Sequence, residues 1–151
     1  MSMLRRMLAG LAVLMLAFAP AWPAAAQDAP PHAIDIPRGV TDSFLDIADE
    51  AAAAGREGKR LLVYFGQDGC PYCRELMQNN FSQREIVDKT RRNFVAIALN
   101  LWGDREVTWT DGRTMTEKEF GRLLKVQFTP TILFFDERGR IVARLNGYYP
   151  P

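Results

Sequence analysis

An unbroken apolar run, Leu61-Leu62-Val63-Tyr64-Phe65, is followed by Gly66 to Gly69 and then by Cys70-Pro71-Tyr72-Cys73. A strand with no polar alternation must be covered on both faces, as strands inside a parallel sheet are. Glycines at both ends of the next four residues mark a turn. Proline directly after Cys70 suits the first turn of a helix, where a missing N–H leaves nothing unpaired. The segment therefore reads as buried strand, turn and helix, with two cysteines at the mouth of the helix. A chain organised around such a unit belongs to the layered α/β class.

The remaining elements extend this pattern. Thr41 and Asp42 are expected to cap a helix whose apolar residues Phe44, Ile47, Ala48 and Ala51 form an i, i+3, i+4, i+7 stripe, with Gly55 ending it. Leu76 and Met77 belong to the helix opened by Cys70, and Ser82-Gln83-Arg84-Glu85 reads as a capping box that restarts or continues it through Ile86 and Val87. A second strand is expected over Phe94 to Leu99. Residues 101 to 115 look inserted: Val107-Thr108-Trp109 and Thr114-Met115 flank Asp111-Gly112, a hairpin signal. Thr116-Glu117-Lys118-Glu119 is another capping box, ahead of Phe120, Leu123 and Leu124 on one face. Thr131 to Phe135 and Arg140 to Leu145 form two strands joined by the turn Asp136-Glu137-Arg138-Gly139. The order predicts a mixed central sheet flanked by helices. The last hairpin leaves one sheet face in need of a cover, so a C-terminal helix beyond this chain is expected, with Pro150-Pro151 marking its start.

With 151 residues the chain holds one ordinary domain. Its first 26 residues read as a secretory signal. Arg5-Arg6 form the positive start, Met7 to Ala19 the apolar run, and Ala24-Ala25-Ala26 the small-residue cleavage site. The apolar run is shorter than the ~20 residues that span a bilayer. An uncleaved anchor is the alternative. Residues 27 to 40, rich in proline, read as a flexible lead-in, and residues 41 to 151 as the domain. The formal charge is +1, and without Arg5 and Arg6 the chain carries 17 basic against 18 acidic residues. Nothing in that balance calls for nucleic acid or an anionic membrane as partner, and no stable membrane insertion is expected after signal cleavage.

Cys70 and Cys73 are the only two cysteines. A C-x-x-C at a helix start after a buried strand is a redox arrangement. The reacting species is the thiolate, which the partial positive charge and free N–H groups of a helix N-terminus stabilise. The i, i+3 spacing puts both sulfurs on one helix face. Cys70 is expected to be the exposed nucleophile and Cys73, one turn deeper, the resolving thiol. Two other readings stand beside this one. A purely structural bridge would close only four residues and constrain the unfolded chain by ~2 kcal/mol, against ~3 kcal/mol for a fifteen-residue loop. A zinc site needs about four ligands, and the only histidine, His32, lies in the lead-in. Neither metal nor cofactor is expected. Trp102 and Trp109 could line a partner surface or pin the hairpin to the body. Asn80-Phe81-Ser82 matches a glycosylation acceptor, and Lys89, Arg91 and Arg92 read as a solvated helix end.

A second signal is Thr129-Pro130-Thr131 at the start of an apolar strand, where proline is tolerated for lack of a ladder bond. Together with the C-x-x-C, this pattern resembles the thioredoxin superfamily over roughly residues 41 to 147. The strongest stretches are Leu61 to Cys73 and Phe128 to Asp136. Gly69-Cys70-Pro71-Tyr72-Cys73, the Trp102 to Met115 insertion and Leu145-Asn146-Gly147-Tyr148-Tyr149 resemble exported SoxW-type thioredoxins in particular. The resemblance implies a thioredoxin-like fold and a cis Pro130 facing the disulfide. It implies that the backbone of Thr129 pairs with a substrate strand beside Cys70, with Pro71 and Tyr72 also at the substrate. It further implies reduction of disulfides in client proteins in the periplasm, with recharging by a membrane thiol electron donor. Disulfide oxidation or isomerisation, or a binding module with a permanent bridge, are the alternatives. Two positions depart from the superfamily pattern: Tyr64 stands where a buried aspartate is common, and Ala98 where a lysine is common. Asp68 and Glu75 are then the carboxylates nearest in sequence to serve Cys73 as proton acceptor.

Overall fold

A computed structural model describes residues 45–151. Thr41, Asp42, Phe44, the signal segment and the lead-in lie outside the described residues. The helix expected there begins with Asp46 as its cap, whose carboxylate Oδ1 accepts the backbone N–H groups of Ala48 at 3.0 Å and Asp49 at 3.1 Å. Helix α1 (Ile47–Arg56) buries Ile47, Ala51 and Ala54, so a stripe of small residues faces the core and Ala48 stays half-buried. Gly55 lies within the helix rather than after it. The chain leaves at Gly58, whose φ of 71° is the left-handed conformation that glycine adopts freely.

Strand β1 (Arg60–Gly66) is buried from Leu61 onward, as its unbroken apolar run requires. It lies between β2 (Phe94–Asn100) and β5 (Thr131–Phe135), and β6 (Ile141–Asn146) completes the four-stranded order β2-β1-β5-β6. β1 runs parallel to β2, with Gly66 opposite Asn100, and antiparallel to β5. β5 and β6 are antiparallel. The sheet is mixed and flanked by helices, the architecture expected from the element order.

Two apolar clusters cover the two sheet faces. One gathers Ile47 and Ala51 of α1 with Leu61, Val63 and Phe65, together with Phe120 and Leu124. The other holds Leu62 and Tyr64 with Cys70, Cys73, Leu76, Met77 and Ile132. A separate hairpin, β3 (Glu106–Thr108) and β4 (Thr114–Thr116), turns through Asp111-Gly112, with Gly112 at φ 83°. Trp109 settles one of the two roles open to the tryptophans. Its ring packs 5.3 Å from Phe120 and 6.3 Å from Phe135, pinning the hairpin to the core.

The two capping boxes behave differently. Thr116 caps α4 (Glu117–Leu123) reciprocally: its Oγ1 accepts from Glu119 N at 3.2 Å, and Glu119 Oε2 accepts from Thr116 N at 2.9 Å. The box at Ser82 does not form. Ser82 donates instead to the carbonyl of Gln78, and α3 (Arg84–Asn93) begins after Gln83 with no side-chain cap. Leu123, expected on the inner face of α4, is exposed. The helix makes barely two turns, and Phe120 and Leu124 fill the face toward the sheet.

Candidate active site

The parallel pairing of β1 and β2 brings their C-terminal ends to one level, and Leu101 N donates to the Gly66 carbonyl at 2.8 Å. The turn after β1 places Gly69 at φ 70°, and the Gln67 carbonyl accepts Cys70 N–H at 3.4 Å. Cys70 is the N-cap of α2 (Pro71–Glu75), with Pro71 in the first turn as expected. The helix does not stay α-helical. It widens into a π turn over Leu76–Asn80, anchored by Asn79 Nδ2 donating to the Tyr148 hydroxyl at 2.9 Å and Asn80 Nδ2 donating to the Tyr149 carbonyl at 3.1 Å. No sequence signal announces this turn.

Cys70 and Cys73 are joined by a disulfide, with Cα atoms 5.3 Å apart. Both are buried. Cys70 is the more accessible, but by a small margin, because the chain folds over it from two sides. Its Sγ accepts the backbone N–H of Cys73 at 3.1 Å and the hydroxyl of Thr129 at 3.2 Å. Both donors are placed where they would stabilise negative charge on that sulfur. The Thr129–Pro130 peptide is cis. Its neighbour β5 lies antiparallel against β1, so Thr129 reaches Cys70 from the adjacent strand end. Pro71 and Tyr72 are exposed beside the disulfide.

Beneath the site, Tyr64 is buried, and burial alone raises its phenol to about 12, so it stays uncharged at neutral pH. Its ring lies along Gly66: a Cβ on that glycine would come within 2.7 Å of the Tyr64 hydroxyl oxygen. Across the ladder Tyr64 faces Ala98. These two positions thus hold a neutral phenol and a methyl group, with no charge between them. Asp68 and Glu75 are both exposed. Among the described residues no group of three or more His, Cys, Asp or Glu could hold a metal ion. No described helix is long and apolar enough to cross a membrane.

Of two further features beside the site, sequence offered Trp102 as a partner-surface residue and gave no signal for Glu117. Trp102, on the extension of β2, is 58% exposed, and its indole N–H donates to Gln67 Oε1 at 3.1 Å. Below it, Glu117 is buried and its Oε1 accepts from Asn100 N at 3.0 Å and from Arg105 Nη2 at 2.6 Å. Arg105 Nη2 also donates to the Ala98 carbonyl at 2.8 Å, which fixes the loop against β2.

Residues 47–151 match the family model described as a thioredoxin-like domain. The chain belongs to this family. The thioredoxin-like domain is 30% identical over 111 residues to the thiol:disulfide interchange protein DsbD of Pseudoalteromonas atlantica. That match covers 72% of this chain but 17% of DsbD, so the chain spans about one sixth of the length of that relative. Among solved structures it is similar to a thioredoxin-fold protein from Helicobacter pylori, with a TM-score of 0.61, 24% identity, and coverage of 78% of this chain and 71% of that one. A thioredoxin from Thermus thermophilus gives a TM-score of 0.52 at 26% identity, covering 68% and 72% of the two chains. The fold is thioredoxin-like, and this chain carries a Cys70–Cys73 disulfide at the start of α2.

Proposed function

We propose that this thioredoxin-like domain is an exported, SoxW-type thiol–disulfide oxidoreductase that reduces disulfides of client proteins in the periplasm. One observation carries the reading: the Cys70–Cys73 disulfide caps a helix, and Cys70 Sγ receives both the Cys73 amide and the Thr129 hydroxyl. A bridge that only stapled the fold would need no such donors. The signal-like first 26 residues support export. No cofactor is required, since the dithiol itself supplies two electrons.

In the reduced protein the Cys70 thiolate attacks one sulfur of a client disulfide. A new sulfur–sulfur bond joins the client to Cys70, and the client's other sulfur leaves as thiolate and takes a proton. Cys73 then gives up its proton and attacks Cys70 Sγ. The mixed disulfide breaks, the second client thiol is released, and the Cys70–Cys73 disulfide is restored. Pro71, Tyr72, Thr129 and Pro130 frame the client strand during this exchange. Two electrons from a thiol donor, for which a membrane thiol carrier is the proposed source, return the pair to its reduced state.

The test is the reduction potential of the pair, equilibrated with glutathione redox buffers. A value near about −270 mV supports a reductant, and one near about −120 mV makes the domain an oxidant instead. A Cys73→Ser variant should accumulate mixed disulfides through Cys70. A pair that stays oxidised throughout and traps no partner refutes the enzyme. Cell fractionation with N-terminal sequencing checks export, with a mature start near Gln27 expected.

A further inference from the structure

Trp102 does not serve the core as Trp109 does. A lone exposed tryptophan is ordinary, but this one is held in place. Its ring is fixed by Gln67 through the indole N–H, and Lys118 Nζ stands 5.6 Å from the ring centroid. Its backbone N–H donates to Asn100 Oδ1 at 3.0 Å. The loop that carries it is clamped from below by Glu117, whose carboxylate fills the space where a Cβ on Gly103 would lie. Gln67 also belongs to the turn whose carbonyl receives Cys70 N–H, so the indole is one residue's reach from the nucleophile's own turn. A large apolar ring is thus held exposed against the turn that leads into Cys70.

It is not alone there. Four aromatic side chains among the described residues are conspicuously exposed, and three of them border the disulfide by position. Tyr72 (58% exposed) lies between the cysteines, Phe128 (51%) precedes Thr129-Pro130, and Trp102 lies beside the turn before Cys70. They come from three separate parts of the chain: one between the cysteines, one next to the residue whose hydroxyl bonds Cys70 Sγ, and one bonded to the turn that leads into Cys70.

Building on the oxidoreductase reading, we infer that Trp102 is a specificity residue, which selects client segments bearing an aromatic or large aliphatic side chain next to the reacting cysteine. Such a side chain stacks on the indole while Cys70 Sγ bonds to the client sulfur. Tyr72 and Phe128 close the other sides. Rigid aromatic anchors bind with little loss of rotamer freedom, and Gln67 and Lys118 have already fixed this one.

The experiment compares two synthetic peptides, each with one intramolecular disulfide and identical except for Phe or Ser beside the cysteine. The wild-type reduced domain should favour the Phe peptide in kcat/KM by about five-fold, the size of one aromatic contact. In Trp102→Ala that ratio should collapse to about one, and in Trp102→Phe most of it should survive. Near-identical far-ultraviolet spectra and melting curves establish that the variants are folded. A Trp102→Ala ratio equal to the wild type's overturns the inference, as does a wild type without preference. If neither peptide nor oxidised glutathione exchanges with the dithiol, the oxidoreductase reading itself falls, and the inference with it.

Discussion

Replacing Arg105 with alanine should destabilise the domain more than replacing Glu117, although Arg105 is the exposed partner of the pair. The Arg105 side chain is 55% exposed and that of Glu117 only 2%. In Glu117→Ala the guanidinium turns to water and keeps its bond to the Ala98 carbonyl. The bonds from Asn100 N–H and Arg105 are lost, but the exposed guanidinium rehydrates, so the net loss is about 2 kcal/mol. In Arg105→Ala the carboxylate stays buried with a single N–H donor, and abandoning a buried charge costs about 3–5 kcal/mol. At ~4 °C per kcal/mol for a domain of this size, the expected falls in Tm are about 8 °C and about 16 °C. Thermal unfolding followed by circular dichroism at neutral pH reads both. The double variant should be no worse than Arg105→Ala, since removing the carboxylate removes the stranded charge. Equal falls for the two single variants, or a larger one for Glu117→Ala, would refute the argument that burial of the anion sets the cost.

Three further outcomes follow from the site and the turns. Thr129→Val removes a hydroxyl donor from Cys70 Sγ. Alkylation of the reduced protein at fixed pH should slow about five-fold, the equivalent of one hydrogen bond, and an unchanged rate would remove Thr129 from the argument. Gly66→Ala drives a Cβ into the Tyr64 hydroxyl and ring. It should lose about 1–3 kcal/mol in urea unfolding, and Gly66→Ala combined with Tyr64→Phe should regain part of that loss. The carboxyl of Asp136 is held below its usual range, first by the backbone N–H of Arg140 and then by the Arg140 guanidinium. A depressed folded-state value contributes stability above the unfolded value of about 3.9, which is lost as pH falls through the folded one. Wild type should therefore be more stable than Asp136→Asn at pH 6, and the gap should begin to close only as pH falls below about 4, vanishing once pH is below the depressed folded value. A gap that persists in acid would mean that charge is not what the turn uses.

The central strand and the dithiol were legible because each depends on local residues. Five apolar residues with no alternation leave only a buried strand, and C-P-Y-C after a turn leaves only a helix start. The Thr116 box formed because Thr and Glu stood at the required spacing, with the helix running on into Phe120 and Leu124. The Ser82 box has the same spacing of hydroxyl and glutamate, yet the preceding π turn brings the Gln78 carbonyl to Ser82 and takes its hydroxyl away. That π turn depends on Tyr148 and Tyr149, whose partners Asn79 and Asn80 lie 69 residues earlier, and no local pattern encodes such a pairing. The same holds for Glu117 and Arg105. As sequence they are two ordinary surface charges, and only the close approach at Gly103 buries the acid. Trp102 and Trp109 looked alike for a related reason: the residues that separate their roles, Gln67 for one and Phe135 for the other, are distant in the chain.

Cys70 and the hydroxyl that bonds it are separated by 59 residues. The cysteines are made early, whereas Thr129 arrives only with β5, the strand that docks between β1 and β6. A ribosome that has released β1 and α2 has produced two thiols but no catalytic centre, because one wall of that centre is still unwritten. Both donors to Cys70 Sγ are therefore in place only once β5 has docked, and any opening that detaches β5 removes one of them. The alkylation rate of Cys70 consequently doubles as a report on whether β5 is docked.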